Sequence, residues 1–230
     1  MKFLYKFASR SRPNKFIACV ENIYINSRNK DFTILASLDA DDTTMNNESM
    51  IDKMKLYDKL YPVFGVSKNK VDAINRDMDK ASAFDILINM SDDMMFIQEG
   101  YDVIIEEEMK KHFPDGDCLL HFPDQNQGEN CLTMSIMDKK YYDRFGYIYH
   151  PDYESLECDV EAQEVGKRLG RYKFINLRIF NHYHPSFGQV PYDEQYQKTE
   201  GLVDGHAIRH RDKDTYIRRE GENFYLLNTN

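Results

Sequence analysis

The chain has 230 residues, 41% of them hydrophobic, and a formal net charge of −9. That length and apolar share allow one sizeable core. No stretch approaches the roughly 20 apolar residues that span a bilayer, so no membrane insertion is expected. The acidity argues against a broad basic face for nucleic acid, though local charge counts for more than the sum.

In chain order, Met1-Lys2-Phe3-Leu4-Tyr5-Lys6-Phe7 is too short an apolar run for a signal peptide and is predicted to be a first strand. It enters Ala8-Ser9-Arg10-Ser11-Arg12-Pro13, a doubly basic turn that either offers donors to phosphates or a base or is a plain surface turn. Residues 15–26 carry apolar positions at helical spacing. Residues 32–38 read as a second strand ending in Asp39, Asp41 and Asp42, and an acid there suits a base or ribose. A helix over 45–60 and a short strand over 61–65 follow. Gly65 then turns the chain into another helix start, with Lys68 and Lys70 beside the amide groups that favour an anion.

Ile86-Leu87-Ile88 is a short unbroken apolar run, as expected for a strand buried on both faces. It leads to Asp92-Asp93. Adjacent carboxylates at a buried strand end repel each other and lose hydration. A divalent cation carrying a diphosphate would offset this; the alternative is a solvated turn. The alternation of strands and helices predicts a doubly wound α/β fold, without the Gly-x-Gly-x-x-Gly or P-loop signatures. Cys19, Cys118, Cys131 and Cys158 show no Cys-x-x-Cys spacing, so free thiols in a reducing cytoplasm are expected.

The order of Ser9-Arg10-Ser11-Arg12-Pro13, Asp39, Ser67-Lys68-Asn69-Lys70-Val71-Asp72-Ala73-Ile74-Asn75 and Ser91-Asp92-Asp93 resembles the nucleotide-sugar glycosyltransferases of GT-A fold, within them the inverting family-two-like group. The resemblance covers residues 1–185. It implies a Rossmann-like, mostly parallel sheet flanked by helices, with a nucleotide-sugar half at 1–95, an acceptor half at 96–185 and a C-terminal extension at 186–230. It also implies a nucleoside-diphosphate-sugar donor, UDP favoured, held by Ser9, Arg10, Arg12, Asp39, Lys70 and Asp92, with Mn2+ or Mg2+ on Asp93. The family's motif is Asp-x-Asp, and here Ser91 stands in place of the first acid.

The second half is predicted to hold a helix over 101–112, strands over 118–123 and 132–137, a helix over 139–145 and another running to 169 before Gly170. An inverting transfer needs a carboxylate to take the acceptor hydroxyl's proton. In enzymes of this kind it lies at a helix start, which suits Asp159 first and Glu161 second; the alternative is acids favoured in any first helical turn. A last strand over 172–180 ends before His182 and His184, either of which suits the late histidine that completes the metal site in similar enzymes. The tail from Gln189 carries His206, Arg209, His210, Arg211, Lys213, Arg218 and Arg219 interleaved with acids. It reads as a solvated segment, a lid, or a contact for a polyanionic acceptor.

Two acceptors meet these expectations: a hydroxymethylated pyrimidine in DNA, as in viral DNA modification, or a glycan. Two other classes stand beside the transferase. The missing first acid suits a catalytically silent nucleotide or sugar-binding module. A nucleotidyltransferase needs a similar site but also a Gly-rich basic first loop, which is absent here.

Overall fold

A computed structural model describes residues 1–194, 196–197 and 204–228. Its strands and helices follow from alternation and helical spacing. In β1 (Phe3–Ser9), Phe3, Tyr5 and Phe7 face one side and Leu4 and Lys6 the other. The first side meets Phe16, Val20 and Ile23 of α1 (Pro13–Asn26), whose N-terminal Pro lacks the N–H that a helix start leaves unpaired. There follow β2 (Phe32–Asp39), α2 (Glu48–Met54), β3 (Leu60–Gly65), α3 (Lys70–Asn75), β4 (Ile86–Met90), β5 (Met94–Phe96), α4 (Tyr101–His112), β6 (Leu119–His121), β7 (Ile136–Asp138), α5 (Lys139–Phe145), α6 (Cys158–Arg168), β8 (Tyr172–Phe174), β9 (Phe180–His182) and α7 (Asp204–Gly221).

The seven-stranded sheet has the order β3-β2-β1-β4-β7-β6-β8. Within it β7 runs antiparallel to both neighbours, and every other adjacent pair is parallel. A small antiparallel pair, β5 with β9, stands beside it. Residues of α1, α2 and α4 bury one face of the sheet, and residues of α3, α5 and α6 bury the other. All five residues of β4 are buried, as its apolar run predicts. Among the described residues no helix is long and apolar enough to cross a membrane.

Four elements differ from the sequence expectation. The helix expected over 45–60 shrinks to α2, because the side chains of Asp42 and Asn47 accept from Thr44 and Met50 and hold the preceding residues in turns. The strand expected over 132–137 is paired only over Ile136–Asp138, between β4 and β6. The strand expected over 172–180 is two strands in two sheets: β8 pairs with β6, and β9 with β5. The tail is not merely solvated, for in α7 Asp212 is 1% and Arg219 2% exposed while Ile217 faces solvent.

Lys6 breaks the apolar rule inside β1. Its side chain is fully buried and donates to Ser37 Oγ at 2.7 Å and to the carbonyls of Phe7 and Ala73, both at 3.2 Å. Burial pulls its pKa down to about 7, against an opposing pull from Asp77. The folded chain therefore releases this proton more readily than the unfolded chain, and stability from this group grows as pH rises from 7 towards 10.5. Urea unfolding over that range will show wild type gaining on Lys6→Met by up to about 1.4 kcal/mol per pH unit.

Candidate active site

The order of the strands reverses between β1 and β4, and open α/β sheets bind ligands in the crevice beyond the strand ends at that point. A cleft of about 720 Å³ opens there, within the usual range for small-molecule sites. Ten of the residues singled out from the sequence line it: Ser9, Arg10, Arg12, Asp39, Lys70, Asp92, Asp93, Asp159, His182 and His184.

The basic turn after β1 is sharp because Ser11 adopts a left-handed conformation (φ 60°) that side chains other than Gly rarely take. Arg10 and Arg12 are thereby sent to different acids. Arg10 reaches Asp39 at 2.8 Å and grips Asp41 through both of its amino nitrogens, and Asp39 also accepts from Ser67 Oγ at 2.7 Å. Arg12 donates to Asp92 at 2.9 Å and makes a two-pronged pair with Asp193 at 2.8 and 2.9 Å. Its guanidinium also lies 4.0 Å from the centre of the Tyr196 ring. Asp92 spends its other oxygen on Ser9 Oγ at 2.6 Å. Burial and the neighbouring Asp93 hold the Asp92 pKa above the ordinary value, despite Arg12 and Ser9. Lys70 opens α3 behind the Asn69 cap, with its side chain exposed to the cleft.

Asp93 sits in a different setting. Tyr196 Oη donates to its Oδ2. Its Oδ1 is buried and faces His182 Nε2 at 3.4 Å, without the alignment of a hydrogen bond. The other ring nitrogen of His182 faces Asp124 Oδ2 at 3.4 Å. Burial works against charge on both Asp93 and His182, yet Asp124 and Asp93 raise the imidazole to about 9, and His182 and Tyr196 hold Asp93 below the carboxylate range. The loop at 124–126 grips His182 by its backbone too: Gln125 both donates to its carbonyl at 2.8 Å and accepts from its N–H at 2.9 Å. His184 is turned elsewhere, its Nδ1 accepting from Ser186 N at 3.2 Å and its ring set against Tyr196.

Among the described residues no group of three or more His, Cys, Asp or Glu stands ready for a metal. The Asp93–His182 pair fits a hard divalent cation nonetheless, provided the ion displaces the Nε2 proton that the two flanking carboxylates hold on the imidazole. Adjacent donors about 2.1 Å from such an ion lie roughly 3 Å apart, and Mg2+ commonly takes only one or two protein ligands with phosphate and water filling the rest. The 3.4 Å separation, the unpartnered Oδ1 and an Asp124 that would orient the ligating ring are the features such a site needs.

On the far wall, Asp159 lies in the first turn of α6. Its Oδ1 accepts from Val160 N at 2.9 Å and its Oδ2 faces Cys131 Sγ at 3.3 Å. Glu161, the second choice from the sequence, is turned inward. Its oxygens are held by Arg219 at 2.7 and 2.8 Å and by Tyr153 at 2.7 Å, a buried ion pair that ties α6 to α7. The segment before α6 hangs from α7: Asp212 accepts from the backbone N–H groups of Glu154, Ser155 and Leu156 at 2.7–2.9 Å. Sequence reading missed Asp124, Asp193, Tyr196 and Asp212. The signal for Asp212 was a stripe of Ile208, Asp212, Tyr216 and Arg219 at helical spacing, disguised because its inward members are charged.

No protein-family model and no curated protein sequence matches the chain. Solved structures do. A mannosyltransferase from Pyrobaculum calidifontis, in complex with GDP-Man and Mn2+, superposes with a TM-score of 0.65 at 11% identity, covering 92% of this chain and 64% of that one. Residues 1–349 of TarS from S. aureus give 0.60 at 11% identity over 79% of this chain and 60% of that one. Glucosyl-3-phosphoglycerate synthase from Mycobacterium tuberculosis, with Mn2+, UDP and phosphoglyceric acid, gives 0.59 at 10% identity over 91% and 78%. The chain thus spans less than two thirds of the length of the first two. The likeness establishes the fold: this is the GT-A architecture, a mostly parallel sheet flanked by helices.

Removing the Asp212 carboxylate strands three backbone donors in a partly buried loop. Asp212→Ala will lower the unfolding free energy by about 2–4 kcal/mol in urea titrations, and Asp212→Asn, which keeps one acceptor oxygen, by less.

Proposed function

We propose that the chain transfers a sugar from a nucleoside-diphosphate sugar to a hydroxyl acceptor. The observation that carries this is Asp93 Oδ1, buried without a hydrogen-bond partner beside His182, in one cleft with the Arg10–Asp39 turn and the helix-start Asp159. A divalent cation on Asp93 and His182 would act as a Lewis acid on the departing diphosphate. Asp39 and Ser67 are the groups suited to base or ribose, and Lys70 to the phosphates. Asp92 acts through Ser9 and Arg12, whose positions it fixes. Asp159 takes the proton as the acceptor oxygen forms its bond to the anomeric carbon. The carbon–oxygen bond to the diphosphate breaks, and its electron pair leaves with the phosphate. A single displacement of this kind inverts the anomeric centre, and NMR of the product anomer tests it.

Residues 1–185 form the transferase unit in this reading, with its donor half to residue 95, and the described residues beyond 185 flank the cleft, His184, Ser186, Phe187, Tyr196, Ile208 and Arg209 lining it. UDP is the favoured nucleotide. The basic cluster of the tail is largely engaged: Arg211 pairs with Glu154, Lys213 with Glu157, Arg218 with Asp152 and Arg219 with Glu161. Cations so occupied leave little for a DNA backbone, so a glycan acceptor is favoured over a modified base. Salt-sensitive binding to duplex DNA would reverse that choice.

The test is thermal stability with UDP, GDP, CMP and dTDP, each with and without Mn2+. One nucleotide will raise the melting temperature, more so with metal, by mass action on the folded state. In Asp93→Asn the metal-dependent increment will vanish while the metal-independent part persists. No response to any nucleotide would overturn the reading. Asp159→Asn will keep the nucleotide response and lower turnover by about 10²-fold or more.

A further inference from the structure

Between Asp93 and Asp159 the cleft wall holds three polar oxygens without a hydrogen-bond partner in the protein, although the Asn89 amide also reaches Tyr149. Asn89, at the penultimate position of β4, is 6% exposed, and Ser155, beside the Asp212 anchor, is 5% exposed. Asn89 Oδ1, Thr133 Oγ1 and Ser155 Oγ are buried without a hydrogen-bond partner, and all three residues line the cleft. Each such group costs about 1–3 kcal/mol when left unmet, so three in one wall are a standing loss of stability unless a ligand meets them.

Their neighbours place them around the reacting position. Asn89 stands four residues before Asp93 on the same strand end, and its N–H bonds Ser135 O at 2.9 Å. Thr133 N bonds the carbonyl of Cys131 at 3.0 Å, and Cys131 is the residue facing Asp159. Ser155 O faces the thiol of Cys158 at 3.8 Å, one residue before Asp159. The set is neutral: one amide oxygen that only accepts and two hydroxyls that both donate and accept. Phosphate calls for cations or several N–H donors. Alternating donors and acceptors without charge match the hydroxyl groups of a sugar ring.

We propose that Asn89, Thr133 and Ser155 form the subsite for the hydroxyl groups of the transferred sugar. This rests on the transferase reading. In that reading the ring has the diphosphate on one side, near Asp93, and the attacking hydroxyl on the other, near Asp159, so the wall between them faces the ring itself. The subsite then sets which sugar is carried, while the Arg10–Asp39 turn sets which nucleotide.

The experiment uses Thr133→Val, Ser155→Ala and, as the conservative control, Thr133→Ser. Calorimetric dissociation constants are measured with Mn2+ for UDP, UDP-glucose, UDP-galactose, UDP-GlcNAc, GDP and GDP-mannose. The bare nucleotide will bind Thr133→Val and Ser155→Ala as it binds wild type. At least one sugar nucleotide will bind each of them about 3- to 10-fold more weakly, the size of a lost hydrogen bond, and Thr133→Ser will retain its affinity. The melting temperature of the free Val and Ala variants will hold or rise, because an unmet polar group is gone. Unchanged binding of every sugar nucleotide, with bare nucleotide still bound, would overturn the subsite and leave the transferase reading standing. A fall in melting temperature of several degrees in both variants would show that the groups serve the fold, and would also overturn it. Failure of wild type to bind UDP or GDP would take both readings down together.

Discussion

Two carboxylates on consecutive residues at the end of a fully buried strand repel each other and have lost most of their water. Asp92 and Asp93 are 5% and 7% exposed, and an uncompensated buried charge costs several kcal/mol. Much of the surrounding structure is organised by the need to offset that cost, and it does so differently for each acid. Asp92 receives a hydroxyl from Ser9 and a guanidinium from Arg12. Asp93 receives Tyr196 and an imidazole braced from behind by Asp124. One acid is spent inside the protein, and the other keeps an oxygen available.

The groups that answer these charges come from distant parts of the chain. Arg12 follows the first strand, His182 closes a strand of the second sheet, and Asp193 and Tyr196 lie beyond it. Arg12 is the common node: it touches Asp92 and Asp193, and its face lies on Tyr196. Such a network is stiff as long as every member is present. The stretch of wall between Asp93 and Asp159 is less well satisfied, with Asn89 Oδ1, Thr133 Oγ1 and Ser155 Oγ unmet. A cleft that is rigid where phosphate chemistry is expected and unsatisfied where a ring would lie is polarised along its length.

Most strands and helices of the first 95 residues could be read from the sequence because β1 and β4 are short, largely apolar runs buried on both faces and α1 carries a regular stripe. The reading failed where local pattern and tertiary pairing diverge. Residues 132–137 alternate like a strand, yet only the last of them find a partner edge, and residues 172–180 are extended but change sheets midway. The candidate acids and histidines were visible because they follow strand and helix ends. Their partners were not: Asp124 sits in a polar loop like any other, and the pairing of Arg12 with Asp193 joins residues far apart in sequence. That the His182 ring and not the His184 ring faces Asp93 depends on the rotation of two rings that sequence spacing puts on the same face.

The anchoring of residues 154–156 by Asp212 has a consequence for the order in which the molecule is made. During synthesis the sheet from β1 to β4 and the nucleotide-side turn can form early, since their pairings lie within the first 90 residues. The wall bearing Asp159 emerges later but cannot settle until α7 has left the ribosome, more than 50 residues further on. The Arg10–Asp39 turn can therefore form well before the wall that carries Asp159, while the partners of Arg12 and Asp93 at residues 182–196 also arrive late. The two walls of one cleft are thus completed at different times in the life of the same chain.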